Sequence, residues 1–158
     1  MSAGQVRALV PADAGATRAL VGRALGGSRH ASRVFDQLDV AITGADAECV
    51  ALVLAEHDQS PLSGVVLFGL VAGANGVIKI HALVGVDRDA MVMLVDGLML
   101  QPQVRAARMI ACEIADDPSC AMAASALFAC AFTRDGRVED FFADGVNLDL
   151  MVRRAERD

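Results

Sequence analysis

The stretch from residue 107 to residue 154 constrains the fold more than any other part of the chain. Residues 109–115 form an apolar run with one carboxylate, Glu113, and end in Asp116-Asp117-Pro118. A short apolar run closed by turn residues reads as a buried strand. Residues 119–132 follow as a small-residue helix. Gly136-Arg137-Val138-Glu139-Asp140-Phe141-Phe142-Ala143 and Val146-Asn147-Leu148-Asp149-Leu150-Met151-Val152 then read as two strands broken at Asp144-Gly145, a hairpin signal.

The rest of the chain extends this pattern. Residues 6–10 read as a short strand, and Asp13 can cap a helix over residues 14–25. A second helix spans residues 32–42 and closes at Thr43-Gly44. Residues 49–56, 64–71 and 77–84 are strands, the last two joined by a hairpin at Gly73-Ala74-Asn75-Gly76. Residues 89–101 have a helical apolar face in Val92, Leu94, Val95, Leu98 and Met99, and Pro102 ends or disrupts that helix. The order β-α-α-β-β-β-α-β-α-β-β predicts a mixed sheet with helices on both sides.

At 158 residues the chain suits a single domain over residues 1–158, large enough for a core without staples. Its hydrophobic content is 54% and its mean hydropathy +0.44, above the roughly 45–50% apolar content usual for a soluble domain. That excess is absorbed by buried elements or by a subunit interface, and a homodimer is expected. A net charge of −6, with arginines scattered among acids, argues against a nucleic-acid partner. Cys49, Cys112, Cys120 and Cys130 form no Cys-x-x-Cys pair. They read as small buried hydrophobes, with no metal, in a reducing cytoplasm. No secretory signal pattern opens the sequence. Residues 59–78 are uncharged, but Pro61, Gly64, Gly69, Gly73, Asn75 and Gly76 interrupt them, so two strands fit better than a membrane span.

The element order and the closing segment resemble the GNAT N-acetyltransferases. Many of these have a glutamate strand, a helix, and a Gly-Arg-Ile-x-Asp-Phe/Tyr-Tyr…Gly-Asp ending. The matching residues here are Glu113, Gly136-Arg137-Val138-Glu139-Asp140-Phe141-Phe142 and Asp144-Gly145. The resemblance implies an α/β (α+β) fold with a mixed central sheet of about seven strands and helices on both faces. It also implies acetyl-CoA as cosubstrate and a small-molecule amine as acceptor. The alternative is a catalytically inactive module of the same fold, kept for binding or dimerisation.

By that resemblance the main chain of Leu83 and Val84 meets the thioester. The family's Arg/Gln-x-x-Gly-x-Gly/Ala pyrophosphate loop matches residues 84–94, which places cofactor contacts at Asp89, Ala90, Met91 and Val92. Aligned without a gap, the family's arginine falls on Asp89 and its glycines on Val92 and Leu94. A deletion in the loop is the other alignment. Asp87 and Asp89 put carboxylates where a polyanion docks, with Arg88 offsetting one; Asp89 otherwise caps the helix.

The family's CoA-contacting asparagine falls on Cys120 and its general-acid tyrosine on Leu127, in a chain with no tyrosine. A thiolate leaves without a strong acid, so transfer does not demand one. Glu113 is the candidate general base, or else a structural ion-pair partner of Arg108 or Arg137. His81 either faces the substrate cleft or packs against the sheet, and Glu56 reads as a solvated strand end. No Walker loop, G-x-G-x-x-G, G-x-S-x-G or HExxH motif is present.

Overall fold

The computed structural model of the chain describes residues 4–44, 46, 48–57 and 61–156; Gln59, where the uncharged stretch begins, lies outside them. β1 (Gln5–Ala8) leads through a tight turn at Pro11–Asp13 into α1 (Ala14–Leu25) and α2 (Ala31–Thr43). β2 (Val50–Ala55), β3 (Leu62–Leu70) and β4 (Val77–Gly85) follow, then α3 (Arg88–Met99) and the short α4 (Pro102–Arg105). β5 (Met109–Ala115), α5 (Ala121–Ala129), β6 (Thr133–Ala143) and β7 (Val146–Arg154) complete the chain. Pro102 thus opens a further helical turn after α3 ends, as suits a residue with no N–H to donate.

The seven strands form one sheet in the order β1-β2-β3-β4-β5-β7-β6. Every pairing is antiparallel except β4 with β5. The sequence-based expectation of a mixed seven-stranded sheet with helices on both faces holds. One face carries α3 and α5 over a core that includes Phe68, Ile78, Ile80, Leu94, Leu98, Leu127 and Phe132. The other carries α1 and α2 over Leu20, Val21, Leu38, Val53, Val65 and Leu67. Gly97 sets the closeness of α3 to β1, because a Cβ there would lie 2.5 Å from Val6 Cγ1.

Two local expectations are corrected. The Asp13 carboxylate makes no cap bond to α1. It instead accepts Arg7 at 2.7 and 3.0 Å and the Val10 N–H at 2.9 Å, and the Arg7 hydrogen bond holds its carboxyl below the ordinary range. The helix expected over residues 119–132 is shorter. Asp117 holds the Ser119 N–H at 2.9 Å, making Pro118–Cys120 a tight turn, and Ala131 adopts φ 65°, which ends the helical path before β6.

Candidate active site

The site begins where one strand pair stops. β4 and β5 pair in parallel from Val77↔Met109 to Ile80↔Cys112, and no further. β4 nevertheless continues to Gly85, held by β3, and β5 to Ala115, held by β7. The two strands therefore part and leave a cleft in the middle of the sheet. A bulge coincides with the opening: Phe68 faces Ile80 while Leu67 faces Ala82, so His81 is the extra residue on β4. The bulge resets the alternation, and Leu83 follows Ile80 onto the α3/α5 face while Ala82 and Val84 face α1 and α2.

Main-chain direction in the cleft follows from the ladder. The Val86 N–H donates to Ser63 O at 2.9 Å on β3. The two-residue period of antiparallel pairing then turns the Val84 peptide groups toward β3 and those of Leu83 and Gly85 toward the cleft. A row of amide donors with no strand opposite can hold a carbonyl oxygen as charge develops on it.

The cleft is lined by Leu25, His30, Arg33 and Val34 from α1, α2 and their turn, by residues 81–84 of β4 and 112–115 of β5, and by Ser119, Cys120, Ala123 and Phe142. Glu113 and His81 are its two proton acceptors on the strands. Glu113 Oε2 accepts Lys79 Nζ at 3.0 Å, from the only lysine in the chain. The expected ion-pair partners are otherwise engaged: Arg137 holds Asp149 at 2.6 and 2.9 Å, and Arg108 donates to Asn75 O at 2.5 Å. His81 Nε2 lies 2.7 Å from Glu48 O. A carbonyl only accepts, so Nε2 carries the proton and Nδ1 keeps its lone pair. Burial holds the imidazole below its ordinary value, and so neutral. Gly69 makes room for this contact, since a Cβ there would lie 1.9 Å from the same carbonyl.

The mouth of the cleft is clamped by the α1–α2 turn. His30 Nε2 meets Asp117 Oδ2 at 3.1 Å, and Arg29 donates to Phe142 O at 2.7 Å. Burial alone would raise the Asp117 carboxyl, but hydrogen bonds from Ser119 and His30 outweigh it and hold the carboxyl low. Ligating atoms of His30, Asp117 and Cys120 lie within 4.8 Å of one another. Burial raises the Cys120 thiol, so it stays protonated at neutral pH, and it pushes the Cys112 thiol up to about 12.

The remaining predicted contacts sit at the far end of β4. Only Val86 and Asp87 connect β4 to α3, so residues 89–94 lie on the helix and not in a loop before it. Val92 and Leu94 accordingly lie within α3, and Leu94 is fully buried. Ala90 and Met91 are buried in its first turns, and Asp89 is exposed. The helix cap is Asp87, not Asp89: its carboxylate accepts the Ala90 N–H at 2.8 Å. An apolar groove runs from the cleft toward this turn, sharing Leu25, Leu83, Val84 and Ser119 with it.

The fold matches known structures. A GNAT-family protein of Desulfovibrio desulfuricans superposes with a TM-score of 0.80 over 96% of this chain and 99% of its own, at 16% identity. The chain adopts the GNAT fold. An aminoglycoside 6'-N-acetyltransferase of Enterococcus faecium gives 0.74 over 98% and 99% at 12% identity. A ribosomal-protein-alanine N-acetyltransferase of Brucella melitensis gives 0.71 over 96% and 99% at 15%. At these identities the likeness is one of fold. No family model and no curated relative matches the sequence. No helix among the described residues is long and apolar enough to cross a membrane.

Sequence reading could not find the Lys79–Glu113 pair, because the partners are far apart in the chain and meet only across the β4/β5 seam. Nor could it find the His30–Asp117 clamp, which joins the α1–α2 turn to the turn after β5. The Asp87 cap did leave a signal, a carboxylate just before the helical pattern, but Asp89 offered the same one.

Proposed function

We propose that the chain is a cytoplasmic N-acyltransferase that moves an acetyl group from acetyl-CoA to a small amine acceptor by direct transfer in a ternary complex. The observation that carries this reading is the parting of β4 from β5 with the Leu83 N–H turned into the opening and a neutral imidazole beside it. An acetyl thioester supplies an electrophilic carbonyl and a stable leaving thiolate. Leu83 N–H donates to that carbonyl oxygen, and Val84 packs beside the acyl chain. Glu113 draws the acceptor ammonium into the cleft. His81 Nδ1 takes its proton, directly or through a water shared with Glu113. Cys120, a protonated thiol at the start of α5, donates a hydrogen bond to the departing sulfur. Met91 walls the end of the groove, and Asp89, Ala90 and Val92 stand beside it on α3 where the CoA arm leaves the protein.

The test is thiol release from acetyl-CoA across a panel of small amines, with amino acids, polyamines and aminoglycosides included. Acceptor-dependent release supports the reading. No release with any amine, together with no thermal shift by the donor, ends it.

The alternative, a binding or dimerisation module, draws on the capped start of α3 and the absent tyrosine. Under either reading a homodimer is proposed along β6, an edge strand that exposes Val138 and Phe141. Light scattering on the purified chain checks it.

A further inference from the structure

The start of α3 is where a bound diphosphate would find main-chain donors, because a helix N-terminus presents free N–H groups and a positive dipole end. Here that place is filled from within. The turn is two residues long, Val86 and Asp87, and has no room for a loop of its own. The Asp87 carboxylate accepts the Ala90 N–H at 2.8 Å, and the Asp87 carbonyl accepts the Met91 N–H at 3.3 Å. Asp89 stands beside it with its side chain 91% exposed. The cation in the turn is already committed, since Arg88 Nε donates to Ser125 Oγ on α5 at 2.9 Å and its Nη1 lies 3.8 Å from Asp89 Oδ1. A diphosphate approaching this helix meets the Asp87 and Asp89 carboxylates, the first holding the Ala90 N–H and the second paired with Arg88.

The groove behind the turn is of the opposite character. Leu20, Leu25, Leu83, Met91 and Met122 supply most of its wall, with Arg23 exposed on the α1 side, and it opens directly into the cleft. An extended arm that is mostly methylene and amide suits those walls, with the inward-facing peptide groups of Leu83 and Gly85 to pair with its amides.

Resting on the acyltransferase reading, we propose that this chain recognises its donor by the thioester and pantetheine arm alone, and leaves the diphosphate and nucleotide of acyl-CoA in solvent. The donor specificity is then for a pantetheine thioester as such, and affinity for acetyl-CoA owes nothing to its phosphates.

The test compares acetyl-CoA with S-acetyl-pantetheine, which lacks every phosphate, by calorimetry and as donors, at low and at moderate salt. The two donors are expected to bind within about threefold of each other, with little dependence on salt. Asp87→Ala is expected to restore discrimination, tightening acetyl-CoA and leaving S-acetyl-pantetheine unchanged. An S-acetyl-pantetheine Kd more than about threefold weaker than that of acetyl-CoA overturns the inference while the acyltransferase reading stands. If neither binds at millimolar concentration, the acyltransferase reading fails, and the inference with it.

Discussion

β4 and the helix that follows it offer two backbone sites a few residues apart, and the chain treats them in opposite ways. At Leu83 the strand has lost its β5 neighbour, and the peptide group faces the cleft with no strand paired to it. At the start of α3 the same kind of donor, the Ala90 N–H, is satisfied at once by Asp87. The difference lies in what each donor has within reach. The splay is enforced from outside, by β3 and β7 holding their partners past the point of separation, so nothing local can close it. The helix start is closed by one short side chain.

The largest effect that would break this comparison is on turnover. His81→Gln is expected to lower the acyl-transfer rate by about 10²–10⁴-fold, with a melting temperature near that of the parent. A rate within tenfold of the parent would remove His81 from the chemistry and return the role of base to Glu113. In the closed half of the seam the loss falls on stability instead. Ile80 is 1% exposed, and Ile80→Ala is expected to cost about 2–5 kcal/mol in denaturant unfolding. Glu113→Gln, in the open half, leaves the unfolding midpoint almost unmoved, because a partly exposed pair contributes little. Equal losses from the two variants would mean that the two halves are not built differently.

Smaller effects sharpen the contrast. Asp87→Ala removes the cap of α3 and is expected to cost about 1 kcal/mol, read by thermal or chemical unfolding. The pH dependence of stability carries a still smaller signature of His81. Its folded value lies below the ordinary 6.5, so the unfolded chain binds the proton more readily. The stability from the neutral imidazole is complete above pH 6.5 and falls as the pH drops from there through the lower folded value. His81→Gln should flatten that part of the curve, and an unchanged slope would place the titration elsewhere.

Much of this architecture is legible in the sequence, because it is written in local patterns. The bounds of α1 and β5, the Asp144-Gly145 hairpin and the Gly44 helix stop all follow from periodicity and turn chemistry. The parallel β4/β5 pair follows from the helix between the two strands. The cleft is legible only in part. Glu113 stands out as a lone carboxylate in an apolar strand, but its lysine partner comes from another strand and register cannot be read from either run. The role of His81 depends on a bulge and on a backbone carbonyl of Glu48, neither of which leaves a mark in residue type. Asp87 and Asp89 are equally good caps on paper; the length of β4 decides between them.

The most direct measurement is an amide NMR titration of the chain with acetyl-CoA. Binding in the splay should move the resonances of Leu83, Gly85, Ile114 and Ala115 together, and leave the capped Ala90 amide nearly still. Millimolar acetyl-CoA that moves none of the β4 and β5 amides, or that moves only those at the start of α3, would contradict the account.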